Sequence, residues 1–378
     1  MRTEQWWWNE TGGWSRELPA EPHEGTDLLL AFGATAVLDR RDLLDALRRA
    51  HPRAILFGCS TAGEIQDVRV HDQTLVATAV DFDSTGLRGH VVTLDEVGSS
   101  REAGHALAEA LTADDLVHVV VLSDGLHVNG SELIAGLTLA LPDGVTVSGG
   151  LAGDGQNMGR TLVCFGGAVQ ERQIAAVGFY GEHLRVGSGS LGGWDPFGPE
   201  RKITRSDGNV LYELDGQSAL DLYKRFLGER AAELPASALL FPLSLRNPDG
   251  PRGIVRTVLA VDDARRSMTF AGDLPEGTYA QLMKANFERL IDGAVGAARV
   301  SLDGQGSAPM LALLVSCVGR KLVLQQRIEE EVEAVRDVLG EGPTLAGFYS
   351  LGEISPFTPT GRCELHNQTM TITTFAED

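Results

Sequence analysis

The octet Gly58-Cys59-Ser60-Thr61-Ala62-Gly63-Glu64-Ile65 returns near the other end of the chain as Gly347-Phe348-Tyr349-Ser350-Leu351-Gly352-Glu353-Ile354. A looser copy, Gly149-Gly150-Leu151-Ala152-Gly153-Asp154, lies between them. Each closes on a small or apolar residue, a glycine and a carboxylate. Repetition of this kind constrains a fold more than any single motif, because a repeated unit must solve the same packing problem each time.

The context is repeated as well. Leu43, Leu44 and Leu47 match Leu133, Ile134 and Leu137, and Gly63 matches Gly153, each pair 90 residues apart. Both segments read strand, loop, helix, strand, with parallel strands because a helical crossover joins them. Before the third copy, APMLALLVSCVGR reads as a strand, and Ile328, Val332, Val335 and Val338 form a helical stripe. Farther on, His71-Asp72-Gln73-Thr74-Leu75 recurs as His366-Asn367-Gln368-Thr369-Met370.

The spacing also predicts a hairpin from Thr74–Val80 and Leu87–Leu94 and a helix over Ser100–Leu111. A second hairpin is expected around Ser206-Asp207-Gly208-Asn209, and helices over Gln217–Leu227 and Tyr279–Arg299. The Gly- and Pro-rich stretch Gly189–Pro199 reads as a boundary. The expected fold class is α/β (mixed α+β), with two domains built from repeated β-α-β units and mixed parallel and antiparallel sheets. Their bounds are a tryptophan-rich tail over 1–26, an internally duplicated α/β domain over 27–195 and an α+β domain over 196–378. Trp6, Trp7, Trp8 and Trp14 are read as a tail packed on its own domain.

Composition excludes several classes. At 378 residues and 43% hydrophobic the chain can bury an ordinary core. A formal net charge of −20 argues against nucleic acid or an anionic membrane surface as partner. Cys59, Cys164, Cys317 and Cys363 form no C-x-x-C pair, so neither a zinc cage nor a disulfide framework is expected and a reducing cytoplasm fits best.

Enzyme signatures are not found. Gly187-Ser188-Gly189-Ser190-Leu191-Gly192 has the G-x-G-x-x-G spacing but runs into Gly193-Trp194-Asp195-Pro196, so it reads as a linker. Gly58–Ala62 lacks the final glycine of a nucleophile elbow. Cys59 reads as a buried strand-end thiol, and His71, His118, His127, His183 and His366 as structural histidines. All three Gly-acid turns sit past the carboxyl ends of strands, where open α/β sheets gather ligands. The candidate binding residues are Ser60, Thr61, Glu64, Asp154, Tyr349, Ser350 and Glu353, whose hydroxyls and carboxylates could hold an ammonium or guanidinium group. A capping role for each carboxylate is the other reading. Asp124 and Asn157 are secondary candidates.

Taken together, GCSTAGEI, SGGLAGDG, LYELDGQSALDLYKRFLG, SCVGR and GFYSLGEISPFTPTGRCELHNQTM resemble the FIST family of sensory proteins, from about Asp27 to Phe375. The resemblance implies a non-catalytic cytoplasmic module that binds a small molecule such as an amino acid. It also implies signalling through a separate output protein of histidine kinase, cyclase or chemoreceptor type. Some similar family members look like haem-based nitric oxide sensors that regulate a histidine kinase, so a haem cofactor is the alternative. A thiol-dependent hydrolase is the second alternative. If the copies serve one shared pocket, Glu64 and Glu353 should lie on the same side of the molecule.

Overall fold

The computed structural model of the chain describes residues 1–246, 253–303, 305–356 and 362–378. Its fold is mixed α/β, and the repeat noticed in the sequence is threefold. Each unit has an edge strand, a leading strand, a helix, a trailing strand, a short hairpin and a return strand. In the first unit these are Arg2–Asn9, Leu28–Gly33, Arg41–Ala50, Ile55–Ser60, the pair Glu64–Gln66 and Arg69–His71, and Leu75–Asp81. The second has Gly86–Thr93, Leu116–Ser123, Gly130–Ala140, Thr146–Leu151, the pair Val163–Phe165 and Ala168–Gln170, and Gln173–Tyr180, with an added helix Ser100–Leu111. The third has Leu184–Leu191, Leu311–Cys317, helices Val318–Leu324 and Ile328–Leu339, Thr344–Ser350, the pair Gly352–Pro356 and Cys363–His366, and Met370–Glu377, with an added helix Phe287–Leu302.

Every unit lays its sheet in the order trailing, leading, return, edge, with only the first pair parallel. The hairpins are exchanged in a closed cycle. That of the first unit extends the third sheet, that of the second extends the first, and that of the third extends the second. The units are therefore interlocked rather than strung together.

Strand alternation explains the core. Leu28, Leu30 and Phe32 face inward with Val120, Leu122, Val177, Leu313, Val315 and Phe348, so the inner faces of all three sheets build one central cluster. Leu29 and Ala31 face outward under Leu43, Leu44 and Leu47. Runs such as LLLAFG are buried throughout because both faces are covered. Trp6 and Trp8 occupy the outer face of the first sheet, where the other two units carry their added helix. The tryptophan stretch is thus a sheet strand, paired with Leu75–Asp81, rather than a tail.

Other expectations are corrected by pairing. Leu75–Asp81 and Gly86–Thr93 are not a hairpin. The first is flanked on both sides, by Leu28–Gly33 and Arg2–Asn9, so it has no free edge, and the second joins Gln173–Tyr180. The G-x-G-x-x-G segment is the edge strand of the third unit. Gly187 and Gly189 let it lie against the helix Phe287–Leu302, because a Cβ would fall 1.9 Å from Ser301 O and 2.1 Å from Ala297 O. The Tyr279–Arg299 helix is a strand, Tyr279–Lys284, followed by a helix from Phe287, since Tyr279–Lys284 pairs with Asp195–Lys202.

Residues 192–286 interrupt the third unit between its edge strand and its first helix. They form an insertion with antiparallel strands, the helix Ala219–Leu227 and a core of its own around Leu211, Met268 and Phe270. Its opening hairpin, Asp195–Asp207 with Val210–Leu214, is the one expected around Ser206–Asn209. Among the described residues no helix is long and apolar enough to cross a membrane.

Candidate functional site

The three turns meet on the pseudo-threefold axis, and glycines decide their register. At Gly58, Gly149 and Gly347 a Cβ would come within 1.8, 1.8 and 1.9 Å of the leading-strand carbonyls of Ala31, Val121 and Leu314. These three are the equivalent positions. Beyond them the backbone closes a ring: Ala62 N donates to Tyr349 O at 2.8 Å, Leu351 N to Leu151 O at 3.2 Å, and Gly153 N to Ser60 O at 2.8 Å. Gly153 thus stands opposite Ala62, and Asp154 opposite Gly63. The second copy is one residue short, and its carboxylate is not the counterpart of Glu64.

Glu64 and Glu353 are true counterparts. Glu64 accepts from the Thr61 hydroxyl on one oxygen, and from Thr74 N (3.2 Å) and Thr74 Oγ1 (2.6 Å) on the other. Glu353 accepts from Ser350 Oγ (2.7 Å), Thr369 N (3.1 Å) and Thr369 Oγ1 (3.0 Å). In both units the donor threonine follows a glutamine in the left-handed region, Gln73 (φ 58°) or Gln368 (φ 65°), which turns the threonine's N–H and hydroxyl toward the same oxygen. Burial pushes the Glu64 carboxyl up to about 7 and that of Glu353 up to about 8, against the hydrogen bonds that favour ionisation. Asp154 is partly exposed. It accepts from Thr35 Oγ1 (2.6 Å), Gly159 N and Arg160 N (both 3.0 Å).

Thr61, Glu64 and Asp154 line one cavity of about 260 Å³, with Thr35, Asp72, Gln73, Asn157 and Arg160. Glu64 forms its floor. A larger hollow of about 850 Å³ shares Ala62, Asp72, Gln73, Gly155 and Asn157 with it and continues past Lys321 and Gln325 to Glu233 and Ser237 of the insertion. The Lys321 ammonium stands where the two join, donating to Ala62 O at 2.8 Å and paired with Asp72. Ser237 Oγ is buried without a hydrogen-bond partner among the described residues.

The other candidates lie elsewhere. Ser60 Oγ donates to Gly153 O (2.7 Å) and accepts from Leu162 N (2.8 Å), so its hydroxyl braces the ring. Tyr349 OH donates to Glu331 (2.7 Å), which is buried with Arg320 at 2.7 Å. Ser350 and Glu353 are fully buried outside the cavity. Asp124, also buried, ties its loop by accepting from Leu126, His127 and Arg172 N–H groups, each at 2.8 Å. Thr35, Asp72 and Lys321 are site residues that sequence reasoning missed. The recurrence of His-Asp/Asn-Gln-Thr was the available signal for Asp72, whereas nothing in the sequence pointed to Lys321.

Cys59 is enclosed, and burial pushes its thiol well above the ordinary range, so it holds no thiolate to attack a substrate. His118 is buried, with Thr146 Oγ1 and Ser148 Oγ on its two ring nitrogens, and burial pushes it down to about 3. His366 lines a cavity of about 580 Å³, but Ser190, Arg289, Asp292 and Asn367 share its walls, and its Nε2 meets Ser355 O at 3.0 Å. These residues do not fit a haem, which needs an apolar slot and an axial nitrogen aimed into it.

The fold and site define a class: a single-chain pseudo-trimer of β-α-β units with exchanged hairpins and a polar cavity where its turns converge. The chain matches the FIST N domain over residues 27–217 and the FIST C domain over residues 219–356, and it belongs to the FIST family. FIST domains are associated with small-ligand sensing in signal transduction. The junction of the two matched regions falls inside the insertion, not between structural units. The chain is 22% identical over 327 residues to an uncharacterized protein of Methanocaldococcus jannaschii, covering 80% of this chain and 62% of that one. It thus spans 62% of the length of that curated relative. Among solved structures, a chorismatase aligns over 99% of this chain and 98% of its own, at 12% identity and TM-score 0.32. A cyanuric acid hydrolase from A. caulinodans aligns over 78% and 99%, at 11% identity and TM-score 0.19. Likenesses this remote carry no argument.

Proposed function

We propose that the protein is a sensor of a small zwitterion of amino-acid type, bound where the first two turns meet and reported to a separate signalling protein. The observation that carries this reading is the pairing of opposite charges along a hollow made of two adjoining cavities that share Ala62, Asp72 and Gln73. Glu64, Asp72 and Asp154 line it as acceptors for an ammonium group, and Lys321 stands at the junction as a partner for a carboxylate. A ligand of this kind replaces the Lys321–Asp72 pair with two pairs of its own. Because the larger hollow reaches Glu233 and Ser237, the ligand also touches the insertion, which supplies a surface whose position can change with occupancy.

Affinity should depend on pH in a defined direction. An ammonium binds best beside an ionised Glu64, so affinity rises as pH rises through about 7 and then levels off. The test is calorimetric titration of the purified protein with the common amino acids, preceded by native mass spectrometry for molecules that co-purify. Asp154→Asn is expected to weaken binding about tenfold, the loss of one charge-assisted contact. Failure of every amino acid to bind, with no small molecule retained, would overturn the reading.

A further inference from the structure

The insertion holds a second hollow, remote in character from the polar one. About 210 Å³ in volume, it is walled by Leu211, Leu214, Leu222, Tyr223, Phe226 and Met268 and their neighbours. Several of these belong to the insertion's own core, with Leu211 and Met268 at most 1% exposed. An apolar hollow of about 150 Å³ is already enough to hold benzene. Gly198, Ala219 and Ala280 are among its walls. The Tyr223 hydroxyl is turned away to Phe241 O at 2.7 Å, which leaves the ring as wall.

The charges at its lining are one-sided. It includes Arg201 and Arg225 and no carboxylate, in a chain whose formal net charge is −20. Arg201 is held by Asp215 at 3.1 Å. Arg225 makes no ion pair or hydrogen bond among the described residues, although it sits in the last turn of a helix rich in other paired side chains. A guanidinium with no partner beside an apolar hollow is a complement for one kind of molecule.

We propose that this hollow binds a compact apolar carboxylate, a single ring or short branched chain, with the hydrocarbon among Leu214, Leu222 and Phe226 and the carboxylate on Arg225. The site is independent of the cavity at the converging turns. It gives the insertion a ligand of its own, so that the same chain reads two chemically unlike molecules.

The experiment uses the full chain, with phenylacetate as probe and 2-phenylethanol as its uncharged counterpart, followed by calorimetry. Arg225→Gln, an exposed position, is expected to weaken phenylacetate about tenfold or more while leaving 2-phenylethanol unchanged. Leu222→Trp, at a half-buried wall position, should weaken both by filling the hollow. Lys321→Met should leave both unchanged. The proposal is overturned if phenylacetate does not bind at millimolar concentration. It is equally overturned if its binding survives both insertion substitutions, or is lost only in Lys321→Met.

Discussion

The first and third turns present the same carboxylate to three equivalent donors, yet among the described residues Glu64 lines a cavity and Glu353 lines none. Over Glu64, the residues Asp72 and Gln73 are exposed and line the cavity. Over Glu353, their counterparts Asn367 and Gln368 are wholly buried under the insertion. Thr257 N donates to Asn367 Oδ1 at 3.2 Å, Gln368 Nε2 donates to Leu239 O at 3.0 Å, and Trp194 Nε1 donates to Gln368 O at 3.0 Å. One motif therefore lines a cavity where it is left bare and acts as a fastening where 192–286 lies over it. The difference lives in the tertiary neighbours, not in the octet.

The third turn's anchor gives the largest expected effect. Arg320 and Glu331 are fully buried, and Arg320 also donates to Gly192 O (2.8 Å) and Leu290 O (2.7 Å), tying the start of the insertion to the third unit. Arg320→Met leaves Glu331 buried without its cation and should cost about 3–5 kcal/mol in urea denaturation. A loss below about 1 kcal/mol would mean that the third turn is as loosely held as the first, and the contrast would collapse.

Acid titration comes next. Both carboxyls are raised in the folded protein, so the neutral forms favour folding. The stability they contribute is complete below about pH 4.5 and is lost as pH rises through about 7 for Glu64 and about 8 for Glu353. Glu353→Gln and Glu64→Gln should each flatten this decline, by at most roughly 5 kcal/mol for Glu353 and roughly 3 kcal/mol for Glu64. With Glu353→Gln the flattening should extend to higher pH. Equal midpoints for the two variants would show that the insertion does not deepen the burial of the third turn.

Much of this arrangement was legible in the sequence, and the remainder was hidden for physical reasons. The glycine turn recurs because each unit must pass a strand close to its neighbour, and the glutamate with His-Asp/Asn-Gln-Thr recurs because the first and third units hold a buried carboxylate there. The matching of Gly63 to Gly153 misled by one residue, since true equivalence depends on which glycine meets the leading-strand carbonyl. The exchange of hairpins leaves no local trace, because the backbone hydrogen bonds that join Glu64–Gln66 and Gly352–Pro356 to another unit's sheet do not depend on side-chain identity. The third unit was obscured by an insertion between its edge strand and its first helix. Lys321, a cation of the candidate site beside Arg160, comes from that unit and reaches the first turn only through the fold.

The left-handed glutamines give a smaller pair of effects. Gln73→Gly relieves a left-handed side chain and loses no hydrogen bond of that side chain among the described residues, so its stability should stay within about 0.5 kcal/mol of the parent. Gln368→Gly relieves the same strain but loses the bonds to Leu239 O and to Thr257 Oγ1 (3.2 Å), a net cost of about 1–2 kcal/mol. Thermal melts of both variants test whether the insertion grips this loop through its side chain. Equal effects would assign the grip to the backbone.

Lys321→Met should disturb the fold least and the proposed function most. Its ammonium is partly exposed and paired with an exposed Asp72, a surface pair worth about 1 kcal/mol at most. Removing it should leave the melting curve almost unchanged, whereas the affinity for an amino-acid ligand should drop about tenfold, since the ligand's carboxylate loses its charged partner. The covered turn shows the opposite order, with Arg320→Met costing stability and leaving no cavity residue altered. If Lys321→Met unfolds the protein without a separate effect on binding, Lys321 is a fastening like Arg320, and the first turn is no more a binding surface than the third.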